Sequence, residues 1–372
     1  MSEKYDVVVI GSGIVGASTA YNLAKRGVST LVLERFGPNH TNGSSHGKSR
    51  IIRSANPENI AYTRLAKSAF DRWGELEAES GSPLMIKTGG LIFGDRKDRF
   101  ISPFLSDAMK SELDYEIMSP SNAMALFPQF TIGSDEVAVY DPSAGILFPE
   151  RCVDSYSSLA RGFGAEFHFN EEVLRWDAAS DCVAIETQSA SYKAGRVVLA
   201  AGAWNAKLIS DVDLGLRCER QVVFWFKPND DSGSFMPGSM PVFICCDYGR
   251  HFYGFPDLGD GVKAAQHHGG KATDPDSVRR AVGKDDEDNV RAFLGRRIPA
   301  ADGTVTGSST CLYTNTPTGD FIIDFHPKHS NVLIVSACCG MGFKFASITG
   351  EIAADLAMAG KTEHDISLFG LR

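Results

Sequence analysis

Three glycines, Gly11, Gly13 and Gly16, stand at G-x-G-x-x-G spacing, and an acid, Glu34, follows the last of them by eighteen positions. These residue types at this spacing suit the pyrophosphate and ribose of a dinucleotide. The first glycine permits a tight turn, the second lets the pyrophosphate approach the backbone, and the third lets a helix pack close to a sheet. Glu34 stands where an acid accepts hydrogen bonds from ribose hydroxyls, and its charge would repel the extra phosphate of NADP. Four cations, Arg50, Arg53, Lys263 and Lys344, are the other candidates for chemistry. Phe343 and Phe345 flank Lys344 and would hold its stem in apolar surroundings. Arg50 and Arg53 stand three apart around two isoleucines, where a buried salt bridge competes with a role in binding.

The elements that must position these residues follow from periodicity. Val7 to Ile10 is a β-branched apolar run suited to a strand buried on both faces. Ala17, Ala20, Leu23 and Ala24 carry a helical pattern, and a second apolar strand over 30–33 ends at Glu34. Strand, turn, helix, strand and acid thus come in the order of a βαβ unit. The polar loop 37–49 is too hydrophilic to pack as core; most such loops are merely solvated, and one that follows the ribose-binding strand could instead run back over the ligand. Helices are predicted over 62–79, 119–127 and 152–163, and strands over 89–93, 144–148, 166–174, 184–187 and 196–202. From Cys218 onward, short strands over 221–226, 242–246, 251–255 and 262–267 alternate with Gly, Pro and Asp turns, which predicts an antiparallel sheet. Helices are expected over 274–282 and 285–293. The tail returns to the opening style, with strands over 321–324 and 331–336, a glycine turn at Gly340-Met341-Gly342 and a helix over 346–359.

This order predicts an α/β protein of two interleaved domains. Segments 1–80, 150–215 and 321–372 would form the dinucleotide-binding domain, and 81–149 with 216–320 the substrate domain. Two further segments fit FAD better than NAD. The strand ending at Gly202 has a small-residue end that can lie against a cofactor. The turn Gly340 to Lys344 precedes a helix whose N-terminus would stabilise negative charge on a reduced flavin.

Composition narrows the partners. The 372 residues carry a net charge of −9, which argues against nucleic acid or an anionic membrane. No apolar stretch approaches the roughly 20 residues of a membrane span. The chain enters its first strand almost at once, so no signal peptide is expected. Eight cysteines follow neither disulfide-framework nor metal-ligand spacing, so reduced thiols in the cytoplasm and no bound metal are expected.

The segments GSGIVG…LVLE, HTNGSSHGKSRIIR, FYGFP, VKAAQHHGG, TCLYTNTPTGDFIIDFHPKHSN, GMGFKFAS and TEHDIS resemble the monomeric sarcosine oxidase and N-methyltryptophan oxidase family. These are flavin amine oxidases related to D-amino-acid oxidase, and the resemblance spans nearly the whole chain. It implies a glutathione-reductase-like FAD-binding Rossmann domain interleaved with a mixed or antiparallel-sheet substrate domain. It further implies FAD joined through a thioether to Cys311. Arg50 and Lys263 would lie near the flavin face, with Lys263 activating oxygen. Arg53 and Lys344 would hold a substrate carboxylate, Tyr253 and Tyr313 line the pocket, and His267 is the active-site histidine. Val173 matches an adenine contact, and His46 and Ser49 match loop positions near the isoalloxazine.

The implied reaction is oxidation of the C–N bond of a secondary-amine amino acid by hydride transfer to flavin. The imine hydrolyses, and oxygen is reduced to hydrogen peroxide by a monomeric enzyme. Departures from the family bear on the substrate. Ser45-His46 replaces paired histidines, Met341 replaces the histidine of G-H-G-F-K, and Gln266 replaces a larger or charged neighbour. They imply a pocket for an N-substituent larger than methyl, such as the sugar of a fructosyl amino acid. Two alternatives stay open: an FAD dehydrogenase with another electron acceptor, and a non-catalytic flavoprotein.

Overall fold

A computed structural model describes residues 3–56, 59–106, 113–230 and 232–371. Its first sheet grows from the strand Glu3–Ile10, whose alternate residues enter two different cores. Val7 and Val9 face one apolar cluster, and Val8 and Ile10 face another. That is why the run is apolar without alternation. Parallel neighbours flank it on both sides, Thr30–Glu34 and Ser191–Leu199. The parallel core continues to Glu166–Phe169 on one edge and His329–Ser336 on the other, where Ile322–His326 closes it antiparallel. A three-stranded antiparallel branch, Val173–Ala178, Val183–Thr187 and the first half of Ser191–Leu199, leaves the same sheet. Helices Ile14–Lys25, Pro149–Gly162 and Ala346–Ala359 cover the Val7 face, with Ile60–Ser80 packed behind. Small residues make the contact tight, since a Cβ on Gly350 would run into Ser18 of the first helix.

The second sheet has eight strands in the order Val305–Asn315, Arg217–Phe226, Val262–His267, Arg250–Phe255, Val242–Asp247, Gly90–Gly94, Val137–Asp141, Glu116–Met118. All neighbours are antiparallel except Val242–Asp247 with Gly90–Gly94. The sheet is therefore mixed rather than purely antiparallel, because its two halves arrive from distant stretches of chain and meet edge to edge. Helix Lys284–Arg297 covers one face, with Phe293 stacked on Phe252 at a centroid distance of 4.2 Å. Its acidic first turn and basic last turn both complement the helix dipole. A small antiparallel sheet of Arg50–Ile52, Gly145–Leu147 and Met85–Lys87 completes the fold. No helix among the described residues is long and apolar enough to cross a membrane.

Three expectations change. The strand read over 166–174 is two strands, broken where Asn170 takes a left-handed φ of 57°. The strand read to Gly202 ends at Leu199, and a 3-10 turn Gly202–Trp204 follows. The helix read over 274–282 is absent. Asp274 makes a single turn, accepting the Asp276 N–H at 2.8 Å, and Asp276 then reaches out to Arg35, Lys207 and Trp204. Side chains drawn to distant partners hold this stretch out of a helix.

Candidate active site

Two cavities meet between the sheets. The first lies over the end of the Glu3–Ile10 strand and is lined by Gly11, Gly13, Glu34, Val173 and Gly202 among others. Gly11 has φ 103°, and a Cβ there would lie 2.6 Å from the Ala200 carbonyl oxygen. Gly16 lies outside the lining, where a Cβ would strike the Gly11 carbonyl oxygen, so the glycine lets the helix start hard against the turn. Gly13 and Gly202 work differently. A Cβ on Gly13 meets only Ser45 Oγ at 3.3 Å, and one on Gly202 meets nothing within 4 Å, so both leave cleft space unfilled. The helix opening at Ile14 has no acid in its first turn and no side-chain cap at Gly13. Its positive end therefore faces the cleft, as an anionic ligand requires. Glu34 is 5% exposed and accepts the Ser12 N–H at 2.8 Å and the Phe36 N–H at 2.9 Å. Burial opposes its charge, but the His40 ring and these N–H groups hold the carboxyl below its ordinary range. These residues fit a dinucleotide such as FAD.

The second cavity shares Ile14, Val15, Ser44, Ser45 and Cys338 with the first. Into it the fold brings His46, Arg50, Arg53, Tyr253, His267, Cys311, Tyr313, Gly340, Met341, Gly342 and Lys344, from segments far apart in sequence. Arg50 donates to the carbonyls of Ser49 (2.8 Å) and Ser44 (2.7 Å), and its Nη2 lies 3.9 Å from Cys311 Sγ. Carbonyls, not an acid, hold Arg50, so the salt-bridge reading falls for this residue. Arg53 is buried and donates to the Ala55 carbonyl, and Lys344 donates to the Met341 carbonyl at 3.3 Å. His267 Nδ1 sits 3.2 Å from the Tyr313 hydroxyl. Burial, then the charges of His268, His251, Lys344 and Arg53, push the imidazole well below its ordinary pKa. Burial likewise raises the Tyr253 and Tyr313 phenols. His46 is buried and, by desolvation and then the Arg50 charge, falls to about 4.

Residues 6–356 match the family described as FAD dependent oxidoreductase, DAO. The chain belongs to that family. It is 39% identical over 377 residues to monomeric sarcosine oxidase of Bacillus sp. (strain B-0618), spanning 100% of this chain and 96% of that protein. It is 32% identical over 370 residues to N-methyl-L-tryptophan oxidase of Citrobacter koseri, spanning 99% and 98%. Among solved structures, NikD, an amino acid oxidase essential for nikkomycin biosynthesis, is similar with a TM-score of 0.88 at 25% identity, over 100% of this chain and 98% of that one.

In this FAD-dependent oxidoreductase Lys263 stands one layer behind the cavity wall. It is 2% exposed, and its Nζ donates to the Gly47 carbonyl (2.7 Å), the Ser49 carbonyl (2.9 Å) and Ser49 Oγ (3.1 Å). The rings of Phe255 and Trp225 lie 4.7 and 5.4 Å away. Burial, then the Arg50 charge, pushes its ammonium well below the ordinary pKa. Ser49 is thus a ligand of this lysine and, like it, lies outside the lining of both cavities. Ser45 lines both cavities, and its Oγ accepts the Ile14 N–H at 3.0 Å, so it also serves the helix N-terminus. Sequence reasoning missed Phe100, Ile244 and Cys338, all on the cavity wall. No local pattern marks them, because each reaches the site only through long-range packing. Cys338 is partly legible, being two residues before Gly340.

Proposed function

We propose that this protein oxidises the C–N bond of an N-substituted amino acid and passes the electrons to oxygen, releasing hydrogen peroxide. The observation that carries this is the junction of a dinucleotide cleft with a cavity holding Cys311, Arg50, Arg53, Lys344, His267 and Tyr313. FAD, when bound, supplies the two-electron redox chemistry. Arg53 and Lys344 bind the substrate carboxylate and so orient the amine. The cavity's cations and its burial both disfavour an ammonium, so the substrate amine is held neutral, with its lone pair free to form the imine. Water then hydrolyses the imine to an amine and a carbonyl compound. The helix opening at Ala346, with no acid in its first turn, points positive charge at the cavity. Cys311 carries the covalent link. Lys263 supplies a buried positive charge for the oxygen step.

The fold is proposed to divide as the sequence divides it, with 1–80, 150–215 and 321–372 holding the cofactor, and 81–149 with 216–320 the substrate. The family resemblance supports action as a monomer. Eight free thiols support a reducing, cytoplasmic setting.

The test is anaerobic bleaching of the bound flavin by sarcosine and larger N-alkyl amino acids, then peroxide release when air is admitted. Bleaching without peroxide points to a dehydrogenase; no bleaching by any secondary amine ends the proposal. Lys344→Ala should weaken competitive carboxylate inhibitors by about 2–5 kcal/mol, because the remaining charges lose their counter-ion geometry. Unchanged inhibitor binding removes Lys344 from the clamp.

A further inference from the structure

Phe100 lies on the second cavity's wall although its segment belongs to neither the cofactor loop nor the three strands that carry Tyr253, His267 and Tyr313. It is 6% exposed, and its far side joins an apolar cluster with Ile92, Phe104, Val139 and Cys246. Its ring meets His251 edge-on at 4.5 Å and His267 at 6.1 Å, the two histidines being cross-strand partners. Asp98 ties the segment to the neighbouring strand. Asp98 accepts the Phe100 N–H at 2.8 Å through one oxygen and meets His251 Nε2 at 2.9 Å through the other. Its backbone carbonyl also accepts the Ile101 and Ser102 N–H groups at 3.0 and 2.7 Å. Burial opposes the Asp98 charge, but the Phe100 N–H, His251 and Cys246 together keep the carboxyl below its ordinary pKa. A turn fixed by its own aspartate thus presents one aromatic ring to the cavity.

We infer that Phe100 sets which N-substituent the site admits, and that Asp98 and His251 are the positioning residues that hold it there. The inference rests on the carboxylate clamp proposed above. Arg53, Lys344, His267 and Phe100 line the same cavity, with the Phe100 ring 6.1 Å from that of His267, so an amine substituent leaving a clamped carboxylate shares its space with Phe100. Ile244 and Met341 continue the wall without hydrogen-bonding side chains. A polyhydroxylated sugar would leave hydroxyls unpaired against them, at a cost each, whereas an apolar group loses nothing. The substrate class that fits is an amino acid with a compact apolar N-substituent. This goes against the fructosyl reading that Ser45 and Met341 suggest from the sequence.

The experiment compares kcat/KM for sarcosine, N-benzylglycine and N-fructosyl-glycine in the parent, Phe100→Leu, Phe100→Ala and Asp98→Asn. Methoxyacetate and benzyloxyacetate, which replace the amine by oxygen, are titrated in parallel by their perturbation of the flavin spectrum. The parent should favour sarcosine over both larger substrates. Phe100→Ala should shift the benzyl-to-methyl ratio at least tenfold towards benzyl in turnover and in carboxylate binding, with Phe100→Leu between, while methoxyacetate affinity stays within threefold. Asp98→Asn should move both ratios the same way by less, which a merely structural lesion would not do. Ratios unchanged within threefold in Phe100→Leu and Asp98→Asn, or a parent that prefers N-fructosyl-glycine, overturn the inference. If no secondary amine is oxidised but the carboxylate ratio shifts as stated, the function proposed above fails and the assignment of Phe100 stands.

Discussion

Lys263 among the described residues meets no carboxylate; three oxygens of the loop 47–49 and two aromatic faces are all that solvate its ammonium. An unneutralised buried charge is costly, and such groups mark sites where the charge is used. On the proposed role of Lys263, the two half-reactions should have opposite pH dependence. Substrate oxidation through a neutral amine should rise with pH, whereas reaction with oxygen assisted by protonated Lys263 should fall as pH rises through its lowered pKa. Stopped-flow traces of each half-reaction against pH would show this. Lys263→Met should slow the oxygen step at least tenfold and flatten its profile, with a smaller loss in anaerobic reduction; equal losses in both would mean a structural role. His46 makes a second prediction, for stability. Its folded pKa of about 4 lies below the ordinary value of 6.5, so the unfolded chain takes up the proton first. Stability is complete above pH 6.5 and is lost as the pH falls towards 4, by up to roughly 3 kcal/mol from this residue. Urea unfolding at pH 7 and pH 5 should show a smaller difference for His46→Asn than for the parent.

At the scale of elements, the fold solves one problem twice. A Cβ on Gly16 would strike the carbonyl oxygen of Gly11, and a Cβ on Gly342 would strike that of Ala337, each five residues upstream. Both corners turn a buried parallel strand into a helix whose N-terminus faces a cavity, and both leave room only for hydrogen at the contact. Gly342→Ala should therefore cost several kcal/mol by urea titration and weaken flavin retention. Gly74→Ala is the control, because Gly74 lies within a helix with nothing within 4 Å of an added Cβ. It should stabilise by about 0.5–1 kcal/mol; similar effects from both substitutions would show that the corner is not tight. These corners were legible because glycine spacing is itself a steric statement. The helix Ala346–Ala359 was legible end to end, since its small residues repeat on the face that packs on the first helix. The segment 274–282 was not. Its Asp274-Pro275 start reads as a helix cap, and what overrides it is Asp276 reaching Arg35 and Lys207, more than sixty residues away. Phe100 escaped for the same reason, since neither its ring contacts nor the Asp98–His251 tie leaves a periodic trace.

At the scale of the whole molecule, the cofactor cleft is built on one sheet and the thiol proposed to attach the flavin on the other. Gly11, Gly13 and Glu34 belong to the parallel sheet and its first turn, while Cys311 lies on Val305–Asn315 at the edge of the mixed sheet. Between them the loop 37–49 is clasped from the far side, with Ser44 donating to the Leu312 carbonyl at 2.6 Å and Arg280 to the Thr41 and Asn42 carbonyls. A ligand bound across this junction stabilises both halves at once, and a covalent one does so at any concentration. The proposed link through Cys311 therefore makes a thermodynamic prediction as well as a chemical one. Acid precipitation should leave the yellow colour with the parent chain and release it from Cys311→Ser. In that variant bound FAD contributes RT ln(1 + [FAD]/Kd), about 2.7 kcal/mol at a hundredfold excess over Kd, so Tm should climb with added FAD. The parent Tm should not respond to added FAD. Flavin that washes out of the parent under acid, or a parent Tm that tracks free FAD as the variant does, would sink the covalent assignment while leaving the cleft's fit to FAD intact.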